Sequence, residues 1–255
     1  MNFTGQIARM ILLEALRSRL AWLVVAIAVG ALAAAQFLSQ VSIIEADQVQ
    51  AALVGALLRA AGVFLVATFV IASMVRESND KIAELLLSQA VPRWKYVLSK
   101  LCGYGLVASL VAVGLSIPLA GIRFTSGVAF WALSLACELL IVMSVSLFCV
   151  LSLAQMLPAF AATAGFYVLA RSVDAMQAIA AGPLGTGPGW VDATVASLVR
   201  GIALVMPGLD RFAQTRWLFD LPPGGTELGL MALQTVLYLG LIGAASLFDL
   251  YRKNY

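Results

Sequence analysis

Long apolar runs separated by short polar breaks make up most of this chain. A run of about twenty apolar residues is long enough to cross a bilayer as a helix. We predict transmembrane helices at about 20–40, 51–75, 98–121, 128–156, 159–180 and 227–248. The pattern therefore predicts an all-α integral membrane protein whose six spans form a single transmembrane domain over residues 1–255.

The segment before the first span, residues 4–19, has the periodicity of an amphipathic helix. Its apolar face comprises Ile7, Ile11, Leu12, Ala15 and Leu16. Its polar face comprises Gln6, Arg9, Glu14, Arg17 and Arg19. We predict a helix that lies along the membrane interface, with a simple cytoplasmic leader as the alternative. A secretory signal peptide is a weaker alternative, because a helical pattern with an acidic residue does not suit its first region.

A second irregular segment, residues 182–226, precedes the last span. It opens with the glycine- and proline-rich run GPLGTGPG, continues with an amphipathic stretch at 190–206, and then becomes polar and aromatic. Glycine and proline favour turns. We therefore predict a flexible connection followed by a re-entrant or surface helix on the outer side.

The most polar stretch, residues 77–100, lies between the second and third spans. Acidic residues come first, and Ser78 or Asn79 can cap a helix. Pro92 disfavours helical geometry at the residue before it, so the pattern predicts a short helix over about 78–90. Its leucines are expected to be exposed beside charged residues, which is typical of a protein docking site. An ordinary solvated loop is the alternative.

Composition narrows the chemistry further. The chain is 62% hydrophobic and 11% charged, whereas soluble domains are about one-quarter charged. It has no histidine, which excludes Ser-His-Asp catalysis and histidine-dependent zinc sites. Cys102, Cys137 and Cys149 lie in apolar runs without CxxC spacing and are predicted to be small buried hydrophobic residues.

The cationic residues predict the orientation. Six spans place both termini on one side, which then carries Arg9, Arg17, Arg19, Arg76, Lys81, Arg93, Lys95, Lys100, Arg252 and Lys253. The other side carries Arg123, Arg200, Arg211 and Arg216. Because cationic residues concentrate in cytoplasmic loops, ten against four predicts that both termini and residues 77–100 are cytoplasmic.

Four charged residues lie within the predicted spans and away from their ends: Arg59, Glu138, Arg171 and Asp174. An ionised group near the bilayer centre costs about 2.5–3.5 kcal/mol, so each needs a partner or water. In one interpretation Glu138 neutralises Arg59 or Arg171, and Asp174 pairs with Arg171 along the same helix. In the other, the surplus positive charge lines an outward cavity that receives an anionic headgroup or acidic substrate.

Residues 77–100 resemble the corresponding stretch of type-2 ATP-binding-cassette (ABC) permeases. That family has a pattern close to E-L-L-L-S-x-P-V-S-R-W-x-x-x-L-G-K after its second span. The matches here are Glu84-Leu-Leu-Leu-Ser88, Val91, Arg93-Trp94, Leu98 and Lys100, and Glu77 resembles the upstream acidic residue of the family. Lys81, Ala90, Pro92 and Ser99 depart from the pattern. The leader, the six spans and the outer segment extend the resemblance over nearly the whole chain.

The resemblance implies a permease subunit of an exporter in a bacterial or archaeal inner membrane. In that family the short helix is a coupling helix that docks on a cytoplasmic ATPase. The expected contact residues are Glu77, Asp80, Lys81, Glu84, Leu85, Leu86, Ser88 and Arg93. A second permease protomer and membrane lipid are further expected partners.

The energy source is expected to lie in another chain. The sequence has no GxxxxGK[ST] motif, so ATP and Mg²⁺ would be bound by the partner ATPase. Gly103-Tyr-Gly105 matches the start of a dinucleotide fingerprint but lies inside an apolar span, without a preceding strand. Nucleic acid is not an expected partner, and this chain is not expected to be an enzyme. A signal or force transmitter to a periplasmic protein, and an intramembrane enzyme using Glu138 or Asp174, remain the alternatives.

Overall fold

The computed structural model describes residues 3–41, 46–80, 92–122, 126–181, 190–213, 217 and 225–252. The helices are α1 (Phe3–Arg17), α2 (Arg19–Val41), α3 (Ala46–Asn79), α4 (Arg93–Ile122), α5 (Ser126–Leu153), α6 (Met156–Ala181), α7 (Trp190–Val205) and α8 (Gly225–Arg252), with a short 3-10 helix at Leu209–Ala213. Within these ranges the chain contains no strand. Six helices, α2 to α6 and α8, are long and apolar enough to cross a membrane, which confirms the predicted all-α fold with six spans.

Helix α5 forms the centre of the bundle. Apart from Glu138 and several serine residues its side chains are apolar on all sides, as expected of a largely buried helix. Leu135, Leu139 and Leu147 are fully buried, and α5 packs against α3, α4, α6, α8 and the 3-10 helix. Glu138, which lies at the centre of the charge cluster described below, is therefore held by this central helix.

Helices α2 and α8 form the periphery. Both expose large apolar side chains, among them Trp22 and Phe37 on α2 and Leu237 and Phe248 on α8. An apolar surface of this extent is typical of a membrane or protein contact. On two helices of spanning length, it fits contact with lipid.

Contacts between helix ends identify one face of the bundle, which we call the terminal face. Arg93 at the start of α4 bonds to backbone carbonyl groups at the end of α8. Ser152 near the end of α5 donates a hydrogen bond to Asp249 of α8 at 3.1 Å. The terminal face therefore brings together the ends of α3, α5 and α8 and the start of α4.

Helix α1, which was predicted to lie along the membrane interface, packs against α4, and its faces differ from the prediction. Ile7, Ile11 and Ala15 are buried. Leu16, assigned to the apolar face, is 58% exposed. Glu14, assigned to the polar face, turns towards α3 and accepts hydrogen bonds from Ser73. The helix has a polar contact on its protein side, which a two-faced periodicity does not reveal.

The end of α3 also differs from the prediction. Helix α3 continues to Asn79, so Ser78 and Asn79, the predicted caps of the next helix, lie in the last turn of α3. The remainder of the predicted coupling helix, residues 81–91, lies outside the described residues. Between α5 and α6 the chain turns at Ala154, with a φ of 54°. Pro158 lies in the first turn of α6, where proline is tolerated.

The predicted amphipathic stretch at 190–206 forms α7, which packs on α6. The 3-10 helix that follows supplies Leu209 and Phe212 to a small buried cluster with Ile141 of α5 and Trp217. This cluster covers the bundle on the face opposite to the terminal face. The predicted flexible connection at 182–189 lies outside the described residues.

Candidate functional site

The predicted intramembrane charges form a cluster around Glu138. A guanidinium nitrogen of Arg59, Nη1, lies 2.5 Å from Glu138 Oε2. Arg171 Nη1 lies 3.5 Å from the other carboxylate oxygen, Oε1, and the Tyr167 hydroxyl donates to Oε1 at 3.0 Å. Helices α3, α5 and α6 thus meet at a single carboxylate. We call Arg59, Glu138, Arg171 and Tyr167 the intramembrane charge cluster.

Arg59 has two further partners besides Glu138, one polar and one aromatic. Its Nη2 donates to the Ser134 hydroxyl at 2.9 Å, and its guanidinium carbon lies 5.2 Å from the centre of the Trp131 ring. Both partners belong to α5, within two turns of Glu138. Since Arg59 is 2% exposed, these contacts replace the water that the ion loses on burial.

The cluster is not electrically balanced. Two guanidinium groups face one carboxylate, so its formal charge is +1. The side chain of Arg171 is 33% exposed, whereas that of Glu138 is 0% exposed. We therefore assign the surplus positive charge to Arg171, which is the more exposed of the two arginines.

Asp174, the fourth predicted residue of this group, is half-buried one turn after Arg171. Among the described residues, Arg171 forms its ion pair with Glu138 rather than with Asp174. The spacing along α6 would allow an Arg171–Asp174 pair. The carboxylate that pairs with Arg171 is instead that of Glu138 on the neighbouring helix α5.

Tyr167 and Ser134 contact this cluster although neither was predicted from the sequence as a site residue. Tyr167 lies four residues before Arg171, and Ser134 lies four residues before Glu138. Residues at this spacing share one helical face. A search for polar residues one helical turn from each intramembrane charge would have identified both residues.

A second cluster, which we call the terminal-face cluster, ties α3 to α4 and α1. Glu77 forms an ion pair with Lys100 and accepts a hydrogen bond from the Tyr96 hydroxyl at 3.0 Å. The side chains of Glu77 and Lys100 are only 12% and 6% exposed. A largely buried pair of this kind holds the end of α3 against the start of α4.

The same cluster extends to α1 through hydroxyl groups. The Tyr104 hydroxyl donates to Ser73 Oγ at 3.1 Å, and Ser73 in turn donates to Glu14 at 3.0 Å. A longer contact of 3.9 Å joins Glu14 to the exposed Arg76. Because Ser73 is on α3 and Tyr104 is on α4, this chain of hydrogen bonds connects three helices.

The predicted coupling residues fall into three groups. Glu77 and Arg93 are engaged within the chain, since Arg93 donates to the Leu250 carbonyl at 2.7 Å and lies over the Tyr251 ring. Asp80 is exposed after the end of α3. The others lie outside the described residues: Lys81, Glu84, Leu85, Leu86 and Ser88.

Gly103 and Gly105 have a packing role in this structure. A Cβ at Gly103 would lie 2.6 Å from Ile11 Cδ1, and a Cβ at Gly105 would lie 3.3 Å from Leu140. The glycines allow α4 to approach α1 on one side and α5 on the other. The three cysteines are free, and Cys102 is exposed rather than buried as predicted.

No group of three or more Asp, Glu, Cys or His residues that could hold a metal ion occurs in the described part of the chain. The two clusters instead consist of ion pairs and hydroxyl groups that join helices. Such an arrangement can hold helices in register and present one partly exposed guanidinium, that of Arg171, within the predicted spans.

Comparison with known proteins gives one finding that bears on these clusters. Residues 38–155 match the family model described as ABC-2 family transporter protein. The matched range contains α3, α4 and α5, and so includes both partners of the Glu77–Lys100 and Arg59–Glu138 pairs. The comparison with curated proteins found no match.

Proposed function

Since the family match and the six apolar helices fit the transmembrane subunit of a type-2 ABC transporter, we propose that this chain is the permease of an exporter. A separate ABC ATPase, which binds ATP and Mg²⁺, drives it by pushing on residues 81–91. The family implies that ATPase partner. A second protomer, identical or paralogous, completes the translocation path.

The Glu77–Lys100 pair is the observation that carries this proposal. Residues 80–92 connect the end of α3 to the start of α4, and both of these helix ends are held by contacts within the chain. Glu77 bonds to α4, and Arg93 bonds to the end of α8. A force applied to the segment would therefore move α3, α4 and α8 as a connected unit instead of bending a loose loop.

This arrangement divides the predicted contact residues by role. Glu77 and Arg93 are positioning residues that hold the ends of the segment. Asp80, Lys81, Glu84, Leu85, Leu86 and Ser88 are the residues that we propose to contact the ATPase. The leucines would supply apolar area to that contact, and the charged residues would supply orientation.

Co-expression with the cognate ATPase tests the docking proposal. Introducing Glu84→Arg together with Leu86→Asp reverses one charge and places a second in the apolar part of the contact. We expect the ATPase to be lost from affinity-purified permease and permease-stimulated ATP hydrolysis to fall to the level of the free ATPase. Asp210→Arg is the matched control, because it reverses an exposed acidic residue on the opposite face.

Two outcomes would overturn this proposal. One is that no Walker-containing protein co-purifies with the unmodified permease. The other is that the Glu84→Arg, Leu86→Asp variant retains both binding and stimulation. Loss of both in the Asp210→Arg control as well would indicate general misfolding, and a thermal unfolding curve of each variant detects that case.

On the substrate side, we propose that Arg171 receives an anionic group of the exported molecule. The support is the surplus positive charge of the intramembrane charge cluster and the partial exposure of Arg171. Arg59 then has a structural role, since Glu138 and Ser134 occupy its guanidinium.

Arg171→Gln separates these two roles. We expect it to lower the ATP-driven transport of anionic substrates by at least tenfold, with little change in thermal stability. Arg171→Lys keeps the charge and should restore part of the transport. The measurement is uptake into inverted vesicles over a panel of acidic lipids and acidic peptides. Unchanged uptake of every transported anion by the Arg171→Gln variant would contradict the proposal.

A further inference from the structure

A lateral groove opens between α4 and α8, with Leu140 of α5 also contributing to its lining. Its volume is about 880 Å³. The lining is almost wholly apolar, and small residues on the facing helices, Gly105, Gly240 and Ala244, leave the space unfilled. The groove contains neither Arg59 nor Arg171 and is separate from the intramembrane charge cluster.

The groove has the length of one leaflet. On α4 its lining runs from Trp94 to Ser109, and on α8 from Leu247 back to Val236. At ~1.5 Å per residue these stretches are about 22 Å and 16 Å long. Half of the hydrocarbon core is about 15 Å thick. The groove therefore covers the depth of one acyl chain, starting at the terminal face.

Cationic residues lie at the terminal-face end of the groove. The Lys95 ammonium lies 5.5 Å from the centre of the Trp94 ring, and Trp94 is 48% exposed. Arg252 is exposed at the end of α8, beside the carbonyl groups that Arg93 binds. Tryptophan and cationic side chains are favoured at the headgroup level of a membrane.

The nearby acidic residues of the described chain are engaged elsewhere. Asp249 accepts a hydrogen bond from Ser152 of α5, and Glu77 is paired with Lys100. The hydrogen bond from Ser152 leaves the negative charge of Asp249 in place. Against this one acidic residue stand the three cations Arg93, Lys95 and Arg252, so the described rim carries a formal charge of +2. This charge complements an anionic headgroup, and a symmetric contact with a second copy of this chain would instead bring like charges together.

We infer that the α4–α8 groove is a binding site for an anionic phospholipid, with an acyl chain between the helices and the phosphate near Lys95 and Arg252. The charge of the rim and the depth of the groove carry this inference. It stands independently of the proposed ATPase coupling.

Filling the groove tests the site. Gly240→Leu adds a side chain where a Cβ would meet nothing within 4 Å, so the helix packing is preserved while the space is occupied. Gly229→Leu on the same helix, outside the groove and equally free of neighbours, is the matched control. The full-length protein in detergent is titrated with phosphatidylglycerol and with phosphatidylcholine, and the bound lipid is counted by native mass spectrometry.

We expect the unmodified protein and the Gly229→Leu control to bind phosphatidylglycerol more tightly than phosphatidylcholine. Gly240→Leu should weaken the binding of both lipids by on the order of tenfold. Lys95→Gln with Arg252→Gln should remove the preference for phosphatidylglycerol and leave phosphatidylcholine binding unchanged. Arg200→Gln with Arg211→Gln, which removes two exposed cations from the opposite face, should keep the preference.

The position of the lipid has an independent readout in Trp94. Phosphatidylglycerol with brominated acyl chains should quench the part of the fluorescence that Trp94→Phe removes, and Gly240→Leu should reduce this quenching. Undiminished phosphatidylglycerol binding by Gly240→Leu overturns the inference. So does a Gly240→Leu variant that changes from dimer to monomer while lipid binding is unaffected, since the groove would then be an interface between copies.

Discussion

At the residue scale, Glu138 determines whether the two intramembrane arginines can be accommodated. Its carboxylate is fully buried and receives Arg59, Arg171 and the Tyr167 hydroxyl. A buried ion pair is costly to break, because removal of one partner leaves the other charge without compensation. The stability of the α3–α5–α6 contact should therefore depend strongly on this one side chain.

Glu138→Gln keeps the shape of the side chain and removes its charge. We expect a loss of about 3–5 kcal/mol in the free energy of unfolding, the usual cost of breaking a buried pair from one side. Unfolding in mixed detergent, followed by circular dichroism, measures this loss. Arg171→Gln should cost much less, because solvent or lipid headgroups reach a side chain that is one-third exposed.

A double variant provides the control for this prediction. Arg59→Met together with Glu138→Leu replaces the pair by apolar groups of similar length, and such replacements are often neutral or stabilising. This variant should therefore unfold less readily than Glu138→Gln alone. Strictly additive losses for the two positions would show that Arg59 and Glu138 do not act as a pair.

At the element scale, the contact between α1 and α4 depends on the absence of a side chain at Gly103. Ile11 and the backbone of Ala8 occupy the position that a Cβ at Gly103 would need. Ile7 and Ala15 extend the buried face of α1 along the same contact. Close helix packing at small residues is typical of membrane proteins. Helix α1 can therefore pack this closely against α4 only because residue 103 is a glycine.

Gly103→Val should displace α1 from α4. The cost of inserting atoms into a packed contact is typically about 1–3 kcal/mol, and it should appear as faster hydrogen exchange in residues 3–17. Gly121→Val on the same helix is the control, since a Cβ there meets nothing within 4 Å. If residues 3–17 exchange at the same rate in the unmodified protein and in the Gly103→Val variant, α1 does not pack against α4 at Gly103.

At the scale of the whole molecule, the cationic residues predict which face is cytoplasmic. The terminal face carries Arg93, Lys95 and Arg252, and the opposite face carries Arg200 and Arg211. By the positive-inside rule, the terminal face should be the cytoplasmic one. The docking proposal requires the same orientation, because the ATPase is a cytoplasmic protein.

Cysteine labelling in intact cells tests the orientation. In a background that lacks the natural cysteines, a membrane-impermeant maleimide should label Asp210→Cys and leave Asp80→Cys unlabelled. Both substituted residues are exposed, so access to the reagent alone decides the result. Permeabilised cells, in which both positions should react, control for reactivity. Labelling of Asp80→Cys in sealed cells would indicate the opposite orientation, and the coupling proposal would then lose its basis.

The amino-acid sequence was enough to predict the six spans, the helices before the first and the last span, and the resemblance that the family match later supported. These features follow from local hydrophobicity and short motifs, which a chain displays in linear order. The sequence also located Arg59, Glu138 and Arg171, because a charge within an apolar run is conspicuous wherever it lies.

Which groups meet could be read only from the folded structure. Arg59 and Glu138 are 79 positions apart and Glu77 and Lys100 are 23 apart, and their pairing depends on how separate helices pack and rotate against one another. The same reason accounts for the choice of Glu138 over Asp174 by Arg171, the inward turn of Glu14, and the groove between α4 and α8. Periodicity defines the faces of a helix, but the neighbouring helices determine what each face touches.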